Sequence, residues 1–279
     1  MIKNVLFPNK EFSTKEDLFK ELKAHENKII DLKKSTIQDS CNKGQLGLLT
    51  LDKIDLTDTK FDVKKGFIYP VISTTNYLDS HDDVHFKGCF DNTIKDQQGK
   101  VHYTSDHILQ LANIIAWKED VKMFVKEIDW SLVGKSYSGT TQALIFEIDE
   151  TKIINEKALQ LIKAKKQVEN SIRMRYIHIK LAINSNDEDY IENKSYFDAR
   201  VNEIANKEVA IERGYFWGVE ELGIFKEGSL VVAGGSNDAT AIIYENKQEP
   251  LDNTLEIIEP SDDTQKEQLE TFFKHLKLN

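Results

Sequence analysis

Two side chains in this sequence could do chemistry as a pair. Ser171 lies in Asn170-Ser171-Ile172-Arg173-Met174-Arg175-Tyr176, and His107 closes Ser105-Asp106-His107. A serine hydroxyl is a poor nucleophile until a neighbouring base takes its proton, and histidine is the usual base. With an unperturbed pKa of about 6.5, an imidazole is mostly neutral and available at pH 7. Such a pair, placed on neighbouring strands, is the minimum kit for acyl transfer. Backbone N–H groups near residues 172–175 would then serve a developing oxyanion. Arg173 and Arg175 either support that oxyanion or pair with acidic surface groups.

A second cluster is Asp79-Ser80-His81-Asp82-Asp83-Val84-His85. It reads as an acidic turn closing a β-hairpin. The alternative is a metal site on His81, Asp82, Asp83 and His85, since imidazole and carboxylate at short spacing can chelate. That alternative would make the protein a metal-dependent hydrolase. Cys41 and Cys89 have neither metal-ligand spacing nor a disulfide framework. Cys89, in Lys87-Gly88-Cys89-Phe90, reads as a small packing residue. No cofactor is expected.

The elements that must position the pair follow from periodicity. Residues 171–183 alternate as a strand. Ser171, Arg173, Arg175, Ile177 and Ile179 fall on one face; Ile172, Met174, Tyr176 and His178 fall on the other. Val101, Tyr103, Ser105 and His107 share a face of a second strand. A helix over 155–167, with Ala158, Leu161 and Ile162 as its apolar stripe, delivers Ser171. The core is expected to begin near residues 65–72, further strands lie at 124–130 and 143–148, and the glycine-bounded apolar runs at 215–224 and 228–237 read as buried strands and turns. A helical N-terminal arm covers 11–36, opened by a Ser13/Glu16 capping box. Residues 190–212 are helical and charged. Leu269, Phe272, Phe273 and Leu276 form the stripe of a C-terminal amphipathic helix.

Composition limits the classes available. The 279 residues carry a formal charge of −10, with 40% hydrophobic and 30% charged residues. An acidic chain is poorly suited to general nucleic-acid binding, which depends on neutralising phosphates. No apolar run is long enough to span a bilayer, and the N-terminus lacks a signal-peptide core. A reducing cytoplasmic compartment is expected.

Several pieces, in order, resemble the tailed-phage prohead maturation proteases, whose fold is similar to that of the herpesvirus assemblin serine proteases. They are Asp79-Ser80-His81-Asp82-Asp83-Val84, Lys87-Gly88-Cys89-Phe90, His107 at a strand end, Asn170 to Tyr176 after a helix, and Leu230-Val231-Val232-Ala233-Gly234-Gly235-Ser236-Asn237. The resemblance covers roughly residues 65–240. Arg173 stands where the family commonly has glycine. The resemblance implies an α+β fold with a mostly antiparallel β-barrel core surrounded by helices; the helical N- and C-terminal appendages lie outside it and are expected from their own apolar stripes. The expected division is 1–60 as helical arm and linker, 61–244 as protease core, and 245–279 as acidic linker and amphipathic helix. It implies Ser171 as nucleophile, His107 as base and a third His or carboxylate. Asp83 is the candidate for that third member; His178 lies on the strand face opposite Ser171. The implied activity is a serine endopeptidase that cleaves scaffold protein and major capsid protein precursor during prohead maturation. It would act in the host cytoplasm inside the assembling prohead, with retention in the virion and a homodimer or higher oligomer left open. No membrane and no specific nucleic acid are implied. The competing reading on the same fold is a catalytically decayed capsid-assembly or scaffolding protein.

Overall fold

The computed structural model describes residues 1–35, 38–39, 62–232 and 236–244. The chain divides into two units, Met1–Glu245 and Asn246–Asn279, and the second lies outside the described residues. The expected C-terminal helix, the acidic linker, Cys41 and Gly234-Gly235 therefore fall outside them as well.

The first unit opens with a two-stranded ribbon of β1 (Ile2–Lys3) and β2 (Glu11–Phe12), then helices α1 (Lys15–Ala24) and α2 (Glu26–Ser35). The capping box falls one residue later than the spacing predicted. Thr14 is the N-cap, its side chain accepts from the Asp17 N–H, and the Asp17 side chain accepts from the Thr14 N–H. Phe12, Leu18, Phe19, Leu22 and Ile29 are buried in the same cluster as Tyr103, Trp217 and Leu230. This segment is thus part of the main core, because its apolar stripe covers the strands that carry the candidate site.

Next come β3 (Gln38–Asp39), β4 (Phe67–Thr74), β5 (Asp83–His85), helix α3 (Asp91–Gln97), β6 (His102–Ser105) and β7 (Ile114–Ala116). Then follow β8 (Lys122–Asp129), β9 (Thr140–Asp149), helix α4 (Glu156–Lys163) and β10 (Glu169–Ile183). Helices α5 (Ile191–Arg200) and α6 (Lys207–Arg213), β11 (Tyr215–Val231) and β12 (Ala241–Tyr244) complete the unit.

The strands described form no closed barrel; they make a mixed arrangement of three sheets. One is the β1–β2 ribbon. A second, antiparallel sheet has the order β12-β4-β9-β8. The third and largest has the order β3-β10-β11-β6-β7, with β5 also on β11. Here β10 and β11 run antiparallel along nearly their whole length, while β5 and β6 lie parallel to β11 at its two ends. The parallel pairings arise because β5 and β6 reach β11 across long connections rather than through tight hairpins.

The alternation along β10 breaks once. Its register with β11 shifts between Tyr176 and His178 and again between His178 and Ile179. Ile177 is consequently 43% exposed while Ile179 is buried, so the two do not share one environment as strict alternation required. His178 points to solvent and pairs with Glu221 at 2.6 Å.

Candidate active site

The site is built from one face of three neighbouring strands. Ser171 on β10 lies opposite Ser229 on β11, and Ser229 lies beside Thr104 on β6. Residues directly across a ladder project to the same side of the sheet. Glu227, two residues before Ser229, and Arg173, two after Ser171, belong to that side by the two-residue period. Between the pairs Ile172/Gly228 and Met174/Ile224 the register slips, so Arg173 faces the longer stretch Phe225-Lys226-Glu227. Lys226 takes a left-handed backbone with φ of 66°. A bulge of this kind re-aims side chains at the price of one unusual backbone angle. Beside it, a Cβ on Gly228 would come within 2.8 Å of the Phe146 ring, so the strand can lie flat on that ring only with glycine there.

His107 is not on the strand that precedes it. β6 ends at Ser105, and Asp106 and His107 are both left-handed, with φ of 55° and 57°. Each such non-glycine residue costs on the order of 1 kcal/mol and needs holding in place. Three bonds do so: Asp106 N–H to Leu230 O at 2.9 Å, His107 N–H to Ser229 Oγ at 2.9 Å, and Ile108 N–H to Ser105 O at 3.1 Å. The turn swings the imidazole back over the Thr104–Ser229–Ser171 face, rather than the face of Tyr103 that simple alternation predicted.

The imidazole then bridges two groups. His107 Nε2 is 2.6 Å from Ser171 Oγ, and His107 Nδ1 is 2.8 Å from Glu227 Oε1. A carboxylate at Nδ1 accepts the Nδ1–H, which leaves Nε2 as the acceptor for the serine proton. Glu227 is fully buried, and a buried carboxylate needs compensating donors. It has His107 and Arg173 Nε, at 3.4 Å, on Oε1, and the Thr104 hydroxyl at 2.7 Å on Oε2. Ser171 is 1% exposed and His107 7%.

Ser171 and His107 thus come together, while Asp83 goes elsewhere. Asp83 pairs with Trp217 near the start of β11, whereas Glu227 lies near its other end. Its carboxylate accepts from Lys33 Nζ at 2.6 Å and from the Tyr176 hydroxyl at 2.7 Å. The third position at His107 is held by Glu227 in its place. Phe225-Lys226-Glu227-Gly228 reads in sequence as a charged turn between two strands, which is why Glu227 carries no signal there. The expected strands at 215–224 and 228–237 leave Glu227 in the gap between them, whereas a single 17-residue strand, β11, runs through it. Of the two arginines, Arg173 meets Glu227, whereas the Arg175 guanidinium lies 4.8 Å above the Phe225 ring. Arg175 is solvent-exposed.

The acidic cluster forms a turn. Leu78 and Val84 make an antiparallel bridge, Asp79 N–H donates to Asp83 O, and Asp82 is left-handed with φ of 59°. The Asp79 carboxylate caps the turn by accepting the N–H groups of His81 and Asp83 at 2.8 and 2.9 Å. Burial and then the charge of Asp83 push the Asp79 carboxyl up to about 7. Burial also raises Asp82, lowers His81 and lowers His85 to about 4. Donor atoms of Asp79, His81 and Asp83 lie within 4.8 Å of one another. A cation is already provided there by the buried Lys33 ammonium on Asp83, and His85 is not among the converging donors, its Nδ1 facing Ser73 Oγ at 3.4 Å. This donor set fits a divalent metal poorly, because Lys33 would be a like charge beside it. Cys89 is wholly buried, and burial pushes its thiol well above the usual range, as suits a packing residue.

No helix among the described residues is long and apolar enough to cross a membrane. Neither a family model, nor a curated protein, nor a solved structure matches this chain.

Proposed function

We propose that this chain is a serine hydrolase in which Ser171 is the nucleophile, His107 the base and Glu227 the group that orients the base. The observation that carries the reading is the single imidazole held between Ser171 Oγ at 2.6 Å and Glu227 Oε1 at 2.8 Å. The serine oxygen attacks a carbonyl carbon while its proton passes to His107 Nε2. Glu227 stabilises the imidazolium so formed. Collapse of the tetrahedral intermediate breaks the acyl bond, and the His107 proton goes to the leaving group. Water, deprotonated by the same histidine, then releases the acyl group and restores the serine.

Within that class, the order of motifs favours a peptide bond as substrate. On that resemblance the reading is an endopeptidase of tailed-phage prohead maturation, with scaffold and major capsid protein precursor as substrates and the assembling prohead as its place of action. One observation favours a second reading, a capsid-assembly protein with an unused site: Ser171 is 1% exposed. A fluorophosphonate, which forms a covalent bond only with an activated serine, separates the two. Labelling of Ser171, located by mass spectrometry and absent from Ser171→Ala, supports the hydrolase. Absence of labelling in the folded wild type favours the second reading. Co-expression with the cognate capsid precursor, followed by mass spectrometry of the products, tests the substrate.

A further inference from the structure

Two hydroxyls behind the candidate triad complete a ring of hydrogen bonds that begins and ends on His107. The His107 N–H donates to Ser229 Oγ at 2.9 Å. The Ser229 and Thr104 hydroxyl oxygens are 3.2 Å apart. The Thr104 hydroxyl reaches Glu227 Oε2 at 2.7 Å, and Glu227 Oε1 meets His107 Nδ1. An ionised carboxylate can only accept, so the proton between Thr104 and Glu227 is that of Thr104. The proton between the two hydroxyls then comes from Ser229, whose other acceptor, the Leu230 carbonyl, is farther away at 3.4 Å. Every donor in the ring has one acceptor, and Thr104, Ser229 and Glu227 are each fully buried.

The ring restrains two things that would otherwise move. One is the left-handed backbone at His107, whose N–H is tied to Ser229. The other is rotation of the Glu227 carboxylate, whose second oxygen is tied to Thr104. A chain of hydroxyls that does both at once couples the backbone position of the base to the orientation of its carboxylate partner. We infer that Thr104 and Ser229 are positioning residues that hold His107 and Glu227 in reactive geometry toward Ser171. This rests on the serine-hydrolase reading above.

The test is the kinetics of fluorophosphonate inactivation of the full chain, resolved into the maximal rate and the probe's half-saturating concentration. Thr104→Val keeps the shape and removes the hydroxyl; Thr104→Ser keeps the hydroxyl; Ser229→Ala removes the link to the backbone. The expected result is a maximal rate lowered by about ten- to a hundredfold in Thr104→Val and Ser229→Ala, with half-saturation changed by no more than about twofold. Thr104→Ser should recover most of the rate. A purely structural hydroxyl would lower thermal stability and leave the rate of the folded protein as it was. An unchanged rate in Thr104→Val, or a Thr104→Ser as slow as Thr104→Val, overturns the inference. Should Thr104→Val not fold, Ser229→Ala decides: a normal rate there overturns it. A wild type that never reacts at Ser171 removes the hydrolase reading itself, and the positioning role with it.

Discussion

Arg173 Nε lies 3.4 Å from Glu227 Oε1, the same oxygen that His107 Nδ1 meets at 2.8 Å. The buried carboxylate is therefore shared between an imidazole and a guanidinium. Glu227→Gln keeps the volume and removes the charge from both. The amide can also offer an N–H to Nδ1, which would put the imidazole in the tautomer that cannot accept the serine proton. A loss of about 10³- to 10⁴-fold in the rate of Ser171 modification is expected, a size typical of such a change in Ser-His-acid enzymes. Asp83→Asn should cause no comparable loss in the folded protein. A Glu227→Gln protein that reacts at the wild-type rate would remove Glu227 from the mechanism.

Ser171→Ala deletes one hydroxyl, and His107 Nε2 loses its partner. Stability should change by no more than about 1 kcal/mol, and reaction with fluorophosphonate or precursor should cease. His107→Ala should be similarly inactive. The double variant should be little worse than either single one, because the two groups act in one step. Chemical denaturation and product mass spectrometry measure the two halves of this expectation.

The Lys33–Asp83 pair joins α2 to β5, with side chains 7% and 0% exposed. Removing one partner of a buried pair leaves the other charge uncompensated. Asp83→Asn should thus lose about 3–5 kcal/mol of stability without altering the chemistry at Ser171. Chelators should leave that chemistry unchanged too. A chelator-dependent loss, restored by zinc or manganese, would reinstate the metal reading.

Asp79 gives a pH dependence of definite sign. Its carboxyl rises from 3.8 to about 7 in the fold, so between these values the folded chain holds a proton that the unfolded chain has lost. Its contribution to stability is full below about pH 4, declines as pH rises, and is gone above about pH 7. His85, lowered to about 4 by burial, works in the opposite sense between about pH 4 and 6.5, since there only the unfolded chain takes up the proton. The two must therefore be separated by mutation. Asp79→Asn keeps an oxygen for the His81 and Asp83 N–H groups and removes the titration. The variant's stability relative to wild type should increase from pH 5 to pH 8 in urea titrations; a constant difference would contradict the assignment.

Much of the candidate site was legible in the chain because it depends on local periodicity. The alternation at 171–183 marks a strand with Ser171 at its start, and Val101, Tyr103 and Ser105 mark a short strand that leads to His107. The apolar runs at 124–130 and 143–148 announce β8 and β9 in the same way. A two-residue period needs only neighbours in sequence to be read.

Tertiary structure decided the rest. Glu227 becomes the third group only because β6 lies parallel to β11 in one register, setting Thr104 beside Ser229, and because a bulge with Lys226 left-handed turns the carboxylate toward His107. In sequence those residues are a charged stretch before a glycine. His107 reaches Ser171 only through two successive left-handed residues, which the Leu230 carbonyl and Ser229 hydroxyl of another strand hold in place. The break at Ile177 and the open, mixed sheet follow from the same cause. Register between distant strands is set by how buried side chains and unpaired backbone groups are satisfied together, and no local pattern of residue types records that choice.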